Sequence, residues 1–473
     1  MINTECKSKK IKFQDLGLKN VEAAFDGGNI TSDAGALILR EIDKANNFIK
    51  DFSSCFRDYR DQDLIEHSLE ELLKQRIFGI CLGYEDLNDH DELRYDPLLA
   101  AACEKKDTLG NDRENKRDKG KALAGKSTLN RLELSGEGDL SKQRYKKIAS
   151  DFDEIENYFV DKFLNTYPET PEEIIIDVDA TDDLIHGNQE GKYFHGYYGD
   201  YCYLPLYIFC ENYLLSAKLR PCNIDASDGT KEELERIILQ IREKWPKVRI
   251  IIRGDAGFCR DEIMSWCEQN NVYYVFGIAK NNRLLKKMYK KMKKARAKYY
   301  KTGESSKCYK DFKYKPLKTW EKSRRVVGKA EHLKKGENPR FIVTSLSKEY
   351  LKAKELYEKL YCARGEMENR IKEQQLSLFS DRTSTAIMRS NQLRLWFSCV
   401  AYIILNEIRN VGLKGTRFEK YQCDNIRLKV LKIGAEIKVS VRRIYVSLSE
   451  SYPYKDIFNR IIENIKRRYP LLN

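Results

Sequence analysis

The stretch EEIIIDVDAT, residues 172–181, decides how the rest of the chain is read. It follows Pro171, is short and β-branched, and ends in acids, which predicts a buried strand rather than a helical turn. Downstream, LPLYIFC (204–210) and YLLSAKLRPCN (213–223) read as two more strands joined by a tight turn. GTKEELERIILQIREKW (229–245) has the apolar spacing of an amphipathic helix. VRIIIRGD (248–255) predicts a strand, CRDEIMSWCEQNN (259–271) a helix and VYYVFGIAK (272–280) a strand. The order is therefore β-β-β-α-β-α-β.

A three-strand antiparallel start followed by alternating helix and strand predicts an α/β protein with an RNase H-like mixed sheet, its first part spanning 169–281. Other α/β folds share parts of this order. Residues 282–356 interrupt the pattern as a basic, partly β insertion. Nine basic residues and no acid lie between Lys286 and Lys301, and RRVVGKA (324–330) and RFIVTSL (340–346) read as strands. A helical segment then runs from about Leu356 through Glu407, broken near Gly365, and closes the core over 357–412. Residues 413–473 form a basic C-terminal region that ends in a helix around YKDIFNRIIENIKRRY.

Upstream, residues 1–168 read as mainly helical, with DNA binding as their expected role. Ser68 and Glu71 make a capping box before an apolar-periodic run. Asp96-Pro97 marks a second helix start. Residues 104–121 contain one large apolar side chain, Leu109, and predict a solvated loop. Phe152, Ile155, Phe159 and Phe163 recur at helical spacing and stop before Pro168.

The chain has 473 residues, enough for two or three compact units, and a formal charge of +14 that favours a polyanionic partner. Thirteen cysteines without a CxxC pair, and five dispersed histidines, give a structural zinc site no support and point to a reducing cytoplasm. The start, MINTECKSKKIKF, lacks the apolar core of a signal peptide. The run LWFSCVAYIIL (395–405) is too short to cross a bilayer and predicts a buried helix. No membrane association is expected.

Cutting a phosphodiester needs an activated water and a stabilised leaving oxygen, which two Mg²⁺ ions about 4 Å apart supply when carboxylates hold them. Asp177 and Asp179 end the first strand on one face. Asp179, in the step Asp179-Ala180-Thr181, lies nearer the strand's carboxyl end and is preferred, with Asp177 as the competitor; a capping acid is the plain alternative. Asp255 sits where the fourth strand exits, although a strand-ending Asp-x-Gly is also a common turn. Glu368, in YCARGEMENRIKE (361–373), shares a helix face with Lys372, which an ordinary surface ion pair would also explain. HGNQEGKYFHGYYGDY (186–201) packs aromatics and glycines between the first two strands; His186, Glu190 and His195 either assist chemistry or shape that loop.

Four runs, FDGGNITSDAGALILREID, DVDATDDLIHGNQEGKYFHGYYGDYCYLPLY, RGDAGFCRDE and YCARGEMENRIKEQQLSLFSDRTST, together resemble bacterial insertion-sequence transposases of the DDE class. The insertion-sequence 1380 family is the group they are most similar to. The resemblance implies Asp179, Asp255 and Glu368 as the catalytic, metal-holding acids, with two Mg²⁺ per site and Mn²⁺ able to substitute. Tyr361, Arg364 and Glu368 match a Tyr-x2-Arg-x3-Glu signature that usually continues with a lysine seven residues after the glutamate. Gln375 stands there instead, and Lys372 is taken as its substitute on the DNA phosphates.

It further implies double-stranded DNA partners, namely terminal inverted repeats and a target, with a homodimer in the reacting complex. A bacterial cytoplasmic location, nucleoid-associated when DNA-bound, follows from the same class. The basic run, with Lys290 and Lys294, would suit a phosphate track, and Trp320 is considered for stacking on an unpaired base. A related nuclease without strand transfer, and a non-catalytic DNA-binding derivative, remain the alternatives.

Overall fold

The computed structural model describes residues 10–470, so most of the leader stretch read above, Cys6 included, lies outside the described residues. The chain divides into two compact units, one of residues 1–150 and 400–473, the other of residues 151–399.

The second unit begins with helix α1 (Phe152–Thr166), capped by the Asp151 side chain on the Glu154 N–H. This helix was grouped above with the N-terminal region, yet its Val160, Phe163 and Leu164 pack into the core of the second unit. Strands β1 (Glu173–Ala180), β2 (Leu206–Cys210) and β3 (Tyr213–Lys218) follow, then helix α2 (Thr230–Lys244), β4 (Arg249–Gly254), helix α3 (Asp261–Gln269) and β5 (Tyr273–Ile278). Each predicted element forms, with ends within a few residues of the prediction except at the over-long 213–223 run.

Helix α4 (Asn282–Thr302) comes next, then β6 (Ser306–Tyr314), β7 (Arg324–Leu333), β8 (Gly336–Glu337) and β9 (Arg340–Thr344). The strands build one nine-stranded mixed sheet in the order β3-β2-β1-β4-β5-β9-β7-β6, with β8 on β7. β1, β4 and β5 run parallel; the other pairings are antiparallel. Residues 282–356 thus extend the core sheet instead of standing apart from it, because β9 takes up the backbone groups that β5 would otherwise leave unpaired.

Alternation along β1 sorts its side chains. Ile174, Ile176 and Val178 face a core shared with α1, α2, α3 and α4. Ile175 lies on the opposite face, where Leu356, Tyr357 and Leu360 pack over Ile251 and Val275. Asp177 and Asp179 share that second face by the same alternation.

The covering segment stays helical from Ala353 to Ser377 but changes winding, with π turns at Leu356–Tyr361 and Glu373–Ser377 flanking helix α5 (Gly365–Lys372). The break expected near Gly365 is only a tight turn at Cys362–Arg364. The chain leaves helical geometry further on, between 379 and 387, before helix α6 (Met388–Glu407). The boundary between the units falls within α6.

In the first unit both predicted helix starts form. Ser68 caps helix Leu69–Leu82 by accepting from the Glu71 N–H at 3.2 Å, and Glu71 returns a bond to the Ser68 N–H at 2.8 Å. Asp96 caps Pro97–Ala102 through the Leu98 and Leu99 N–H groups. The hairpin Ala435–Ser440 and Arg443–Leu448 pairs with Asn29–Thr31, so the C-terminal region belongs to the same unit as the N-terminal helices. No helix among the described residues is long and apolar enough to cross a membrane.

Candidate active site

Asp179 is the next-to-last residue of β1, and Asp255 follows directly on β4. The parallel register sets Gly254 beside Val178, so the following pair is Asp255 beside Asp179, at the carboxyl ends of adjacent strands. The Asp255 carboxylate turns the chain by accepting from the Gly257 N–H at 2.7 Å. The turn that competed with a functional reading of Asp255 is therefore present, and the acid stands beside Asp179 as well.

The same register gives Asp177 and Asp179 different partners. Arg253 on β4 lies opposite Asp177 and binds both of its oxygens, at 2.5 and 2.7 Å, while a third nitrogen donates to the Leu360 carbonyl. Both partners are buried. Asp177 is consumed by a structural ion pair.

Asp179 meets Arg364 instead, with Nη1 2.9 Å from Oδ2. The other guanidinium nitrogen of Arg364 holds Glu368 at 3.0 Å. One arginine thus joins the strand acid to the helix acid, and Glu368 pairs backward with Arg364 rather than forward with Lys372. Lys372 is exposed and has no ion pair among the described residues. At the position where the signature carries lysine, the Gln375 amide donates to the Asp182 carbonyl at 2.8 Å, tying the helical segment to the residues after β1.

Burial pushes the Asp179 carboxyl up to about 6; Arg364 opposes this, and the neighbouring Asp255 and Glu368 charges add to it. Burial also raises the Tyr361 hydroxyl. Tyr361 stands against Gly277 on β5, where an added Cβ would come 2.7 Å from the Tyr361 oxygen and 3.0 Å from the Ala256 nitrogen. Only glycine lets both approach. Asp255, Gly277, Lys280, Arg340, Tyr361 and Arg364 line an open cleft of about 540 Å³. Lys280 and Arg340 had no sequence signal; they become neighbours of Asp255 only through sheet pairing.

The acids offer oxygen alone, which is the donor set a hard divalent cation takes. In the arrangement seen, the Arg364 guanidinium stands between Asp179 and Glu368. Among the described residues no three or more His, Cys, Asp or Glu side chains close into a group able to hold a metal. The donor chemistry fits, with an arginine holding the place between two of the acids.

Of the other predicted residues, Lys290 and Lys294 lie exposed on α4, whose Leu284, Met288, Met292 and Ala295 face the sheet. Trp320 corrects its expectation. It is 6% exposed, edge-on to Tyr314 at 5.9 Å and under the Arg324 guanidinium, so its ring is spent on packing and offers no face to a base. Glu190 shapes its loop and starts a helix: its carboxylate accepts from the Met388 N–H at 3.0 Å, at the beginning of α6. His195 stacks obliquely on Tyr198. Cys81, Cys210 and Cys399, which sit in apolar runs of the sequence, are buried and outside any disulfide.

Acids at the ends of two adjacent parallel strands, with a third acid reached from a covering helix, define an α/β protein with an anionic site at the carboxyl edge of its sheet. The chain belongs to the DDE transposases: the family described as Transposase DDE domain group 1 matches residues 13–470, nearly its whole length. Membership implies an enzyme that binds, cuts and transfers DNA. No curated protein matches the sequence.

Proposed function

We propose that this chain is the transposase of a mobile element of the insertion-sequence 1380 type. It binds the terminal inverted repeats of that element, hydrolyses phosphodiester bonds at its ends and transfers the 3′-hydroxyl ends to target DNA. The observation that carries the reading is the Arg364 bridge between Asp179 and Glu368, with Asp255 next to Asp179 in the sheet register. The strand order β3-β2-β1-β4-β5, with β2 alone reversed against its parallel neighbours β1, β4 and β5 in that path, supports an RNase H-like core.

Asp179, Asp255 and Glu368 would hold two Mg²⁺ ions, with Mn²⁺ able to substitute. Bound there, the metal supplies a nucleophilic water and charge stabilisation for the leaving oxygen. The chain's own groups do the rest. Arg253 keeps Asp177 out of the site. Tyr361 and Arg364 border the cleft beside Asp255, within reach of a phosphate that enters it. Lys372, exposed one turn after Glu368, reaches the flanking backbone in place of the usual lysine. Lys290 and Lys294 extend a phosphate track along α4. Two copies assemble on two DNA ends during reaction, in the bacterial cytoplasm and on the nucleoid when DNA is bound. The helical N-terminal region contributes to reading the repeats.

The test is cleavage of terminal-repeat duplex with Mg²⁺. Asp179→Asn, Asp255→Asn and Glu368→Gln each lose it while keeping the wild-type circular dichroism; retained cleavage in any of them overturns the assignment. Joining of a pre-cut 3′-hydroxyl end to a second duplex separates transposition from simple nuclease action.

A further inference from the structure

A second concentration of charge lies in the first unit, in residues the acid site does not use. Arg60, Arg94, Arg113, Arg117 and Arg131 line one cavity of about 510 Å³. Their acid partners do not balance them. Arg60 is neutralised by both oxygens of Asp58, and Arg113 reaches Glu66 at 3.0 Å. Asp118 serves Arg94 at 2.9 Å, Arg117 at 3.5 Å and Lys121 at 3.7 Å, and Asp91, the remaining acid of the lining, pairs with Lys126 at 3.4 Å. Arg131 faces the Tyr145 ring, 5.6 Å from its centroid.

The donors in this wall outnumber the acceptors. Arg113 is 7% exposed, and its Nε is buried with no hydrogen-bond partner among the described residues. The Arg94 Nε is in the same condition. Arg113 Nη1 donates to His67 Nε2 at 2.5 Å, which leaves the ring proton on Nδ1, 3.4 Å from the Lys105 ammonium. Two donors therefore face each other there. Burial, followed by the Lys105, Arg113, Arg94 and Arg60 charges, lowers the His67 imidazole to about 2 and keeps it neutral.

The helix Lys126–Glu133 starts at the cavity from Gly125, where the Asp91 carboxylate accepts from the Lys126 N–H at 3.0 Å and pairs with the Lys126 ammonium at 3.4 Å, and Ser127 and Thr128 line the opening. Residues 104–121, expected as a solvated loop, thus carry Arg113 inward as a buried wall of this cavity.

We propose that this cavity is a phosphate-binding site that seats a backbone phosphate of the bound DNA against Arg94, Arg113 and the arginines beside them. Planar guanidinium forks match the paired oxygens of a phosphate, and five arginines against the three acids of the lining, Glu66, Asp91 and Asp118, leave the cavity short of negative charge. The proposal rests on the DNA-handling reading above and adds a second contact, separate from the acids.

The full chain is titrated without divalent metal against fluorescent terminal-repeat duplex at several salt concentrations, and its thermal midpoint is followed with inorganic phosphate and with a 5′-mononucleotide. Arg94→Gln is expected to weaken duplex binding at least fivefold and to abolish the midpoint rise given by phosphate. Arg117→Gln and Arg131→Gln alter exposed side chains that leave the fold intact, and each is expected to lower the slope of log affinity against log salt by about one. Unchanged affinity and slope in all three variants overturns the site, while wild-type metal-dependent cleavage would still stand for the transposase reading. A midpoint rise with mononucleotide alone, at unchanged duplex affinity, overturns the DNA assignment in favour of a free nucleotide. A wild-type chain that binds no duplex sinks the transposase reading itself.

Discussion

Arg253 grips both carboxylate oxygens of Asp177 across the β1–β4 pairing, at 2.5 and 2.7 Å, two residues before Asp179 turns to Arg364. Neighbouring acids on one strand face thereby meet different arginines, and the proposed function gives only Asp179 a place in the site.

Asp177→Ala leaves the buried Arg253 charge without its partner, and breaking such a pair costs about 3–5 kcal/mol. Urea unfolding should show that loss. Asp179→Asn removes a carboxylate whose ionisation the fold already disfavours, so its unfolding midpoint stays near wild type at pH 7. An equal loss in both variants would contradict the separation.

Arg364→Gln removes the guanidinium that stands between Asp179 and Glu368. DNA-free protein with this change is expected to bind Mn²⁺ about tenfold more tightly, the equivalent of about 1.4 kcal/mol, because a competing cation is gone. Titration followed by the free-Mn²⁺ paramagnetic signal measures it. Affinity equal to or weaker than wild type would rule out Arg364 as the place-holder.

Gly277→Ala puts a methyl group 2.7 Å from the Tyr361 hydroxyl and 3.0 Å from the Ala256 nitrogen. Tyr361 has to move, and the turn that aims Asp255 moves with it. Cleavage is expected to fall by at least tenfold while most of the stability remains. Full activity would show that the close approach has no bearing on the site.

His90 is buried in the first unit, and its Nδ1 accepts from the Gln75 amide at 3.1 Å. Burial, then the Arg76 charge, lowers its imidazole to about 3, against about 6.5 in an unfolded chain. The neutral ring's contribution is complete above pH 6.5 and is lost as pH falls from there toward 3, at about 1.4 kcal/mol per unit. The stability advantage of wild type over His90→Asn should therefore shrink by about 2 kcal/mol between pH 7 and pH 5. A constant difference across that range would mean the ring protonates in the folded state.

Much of the second unit was legible because its signals are local. β-Branched runs and helical spacing are written within ten or fifteen residues, so seven elements could be placed from Glu173 to Ile278, while the short strands at Asp183–Leu184, Tyr193–His195 and Asp200–Tyr203 were missed. The three acids were picked out for a related reason: two end strands, and Glu368 sits in a local signature; the structure shows Arg364 joining Asp179 to Glu368. The error at Trp320 has the opposite cause. An aromatic in a basic stretch looks the same whether it is exposed or packed, and only the Tyr314 and Arg324 contacts distinguish the two.

By itself, then, the sequence determined the main strands and helices of the second unit from Glu173 to Ile278, the strand-end placement of Asp179 and Asp255, and the DDE resemblance. Tertiary structure alone decided that Asp177 is spent on Arg253, that Gln375 ties down Asp182, and that residues 282–356 continue the core sheet. It alone also turned Arg113 into the wall of a cavity. The physical reason is distance along the chain. Periodicity reports which face a residue takes on its own element, whereas an ion pair between β1 and β4 depends on the register of strands 76 residues apart.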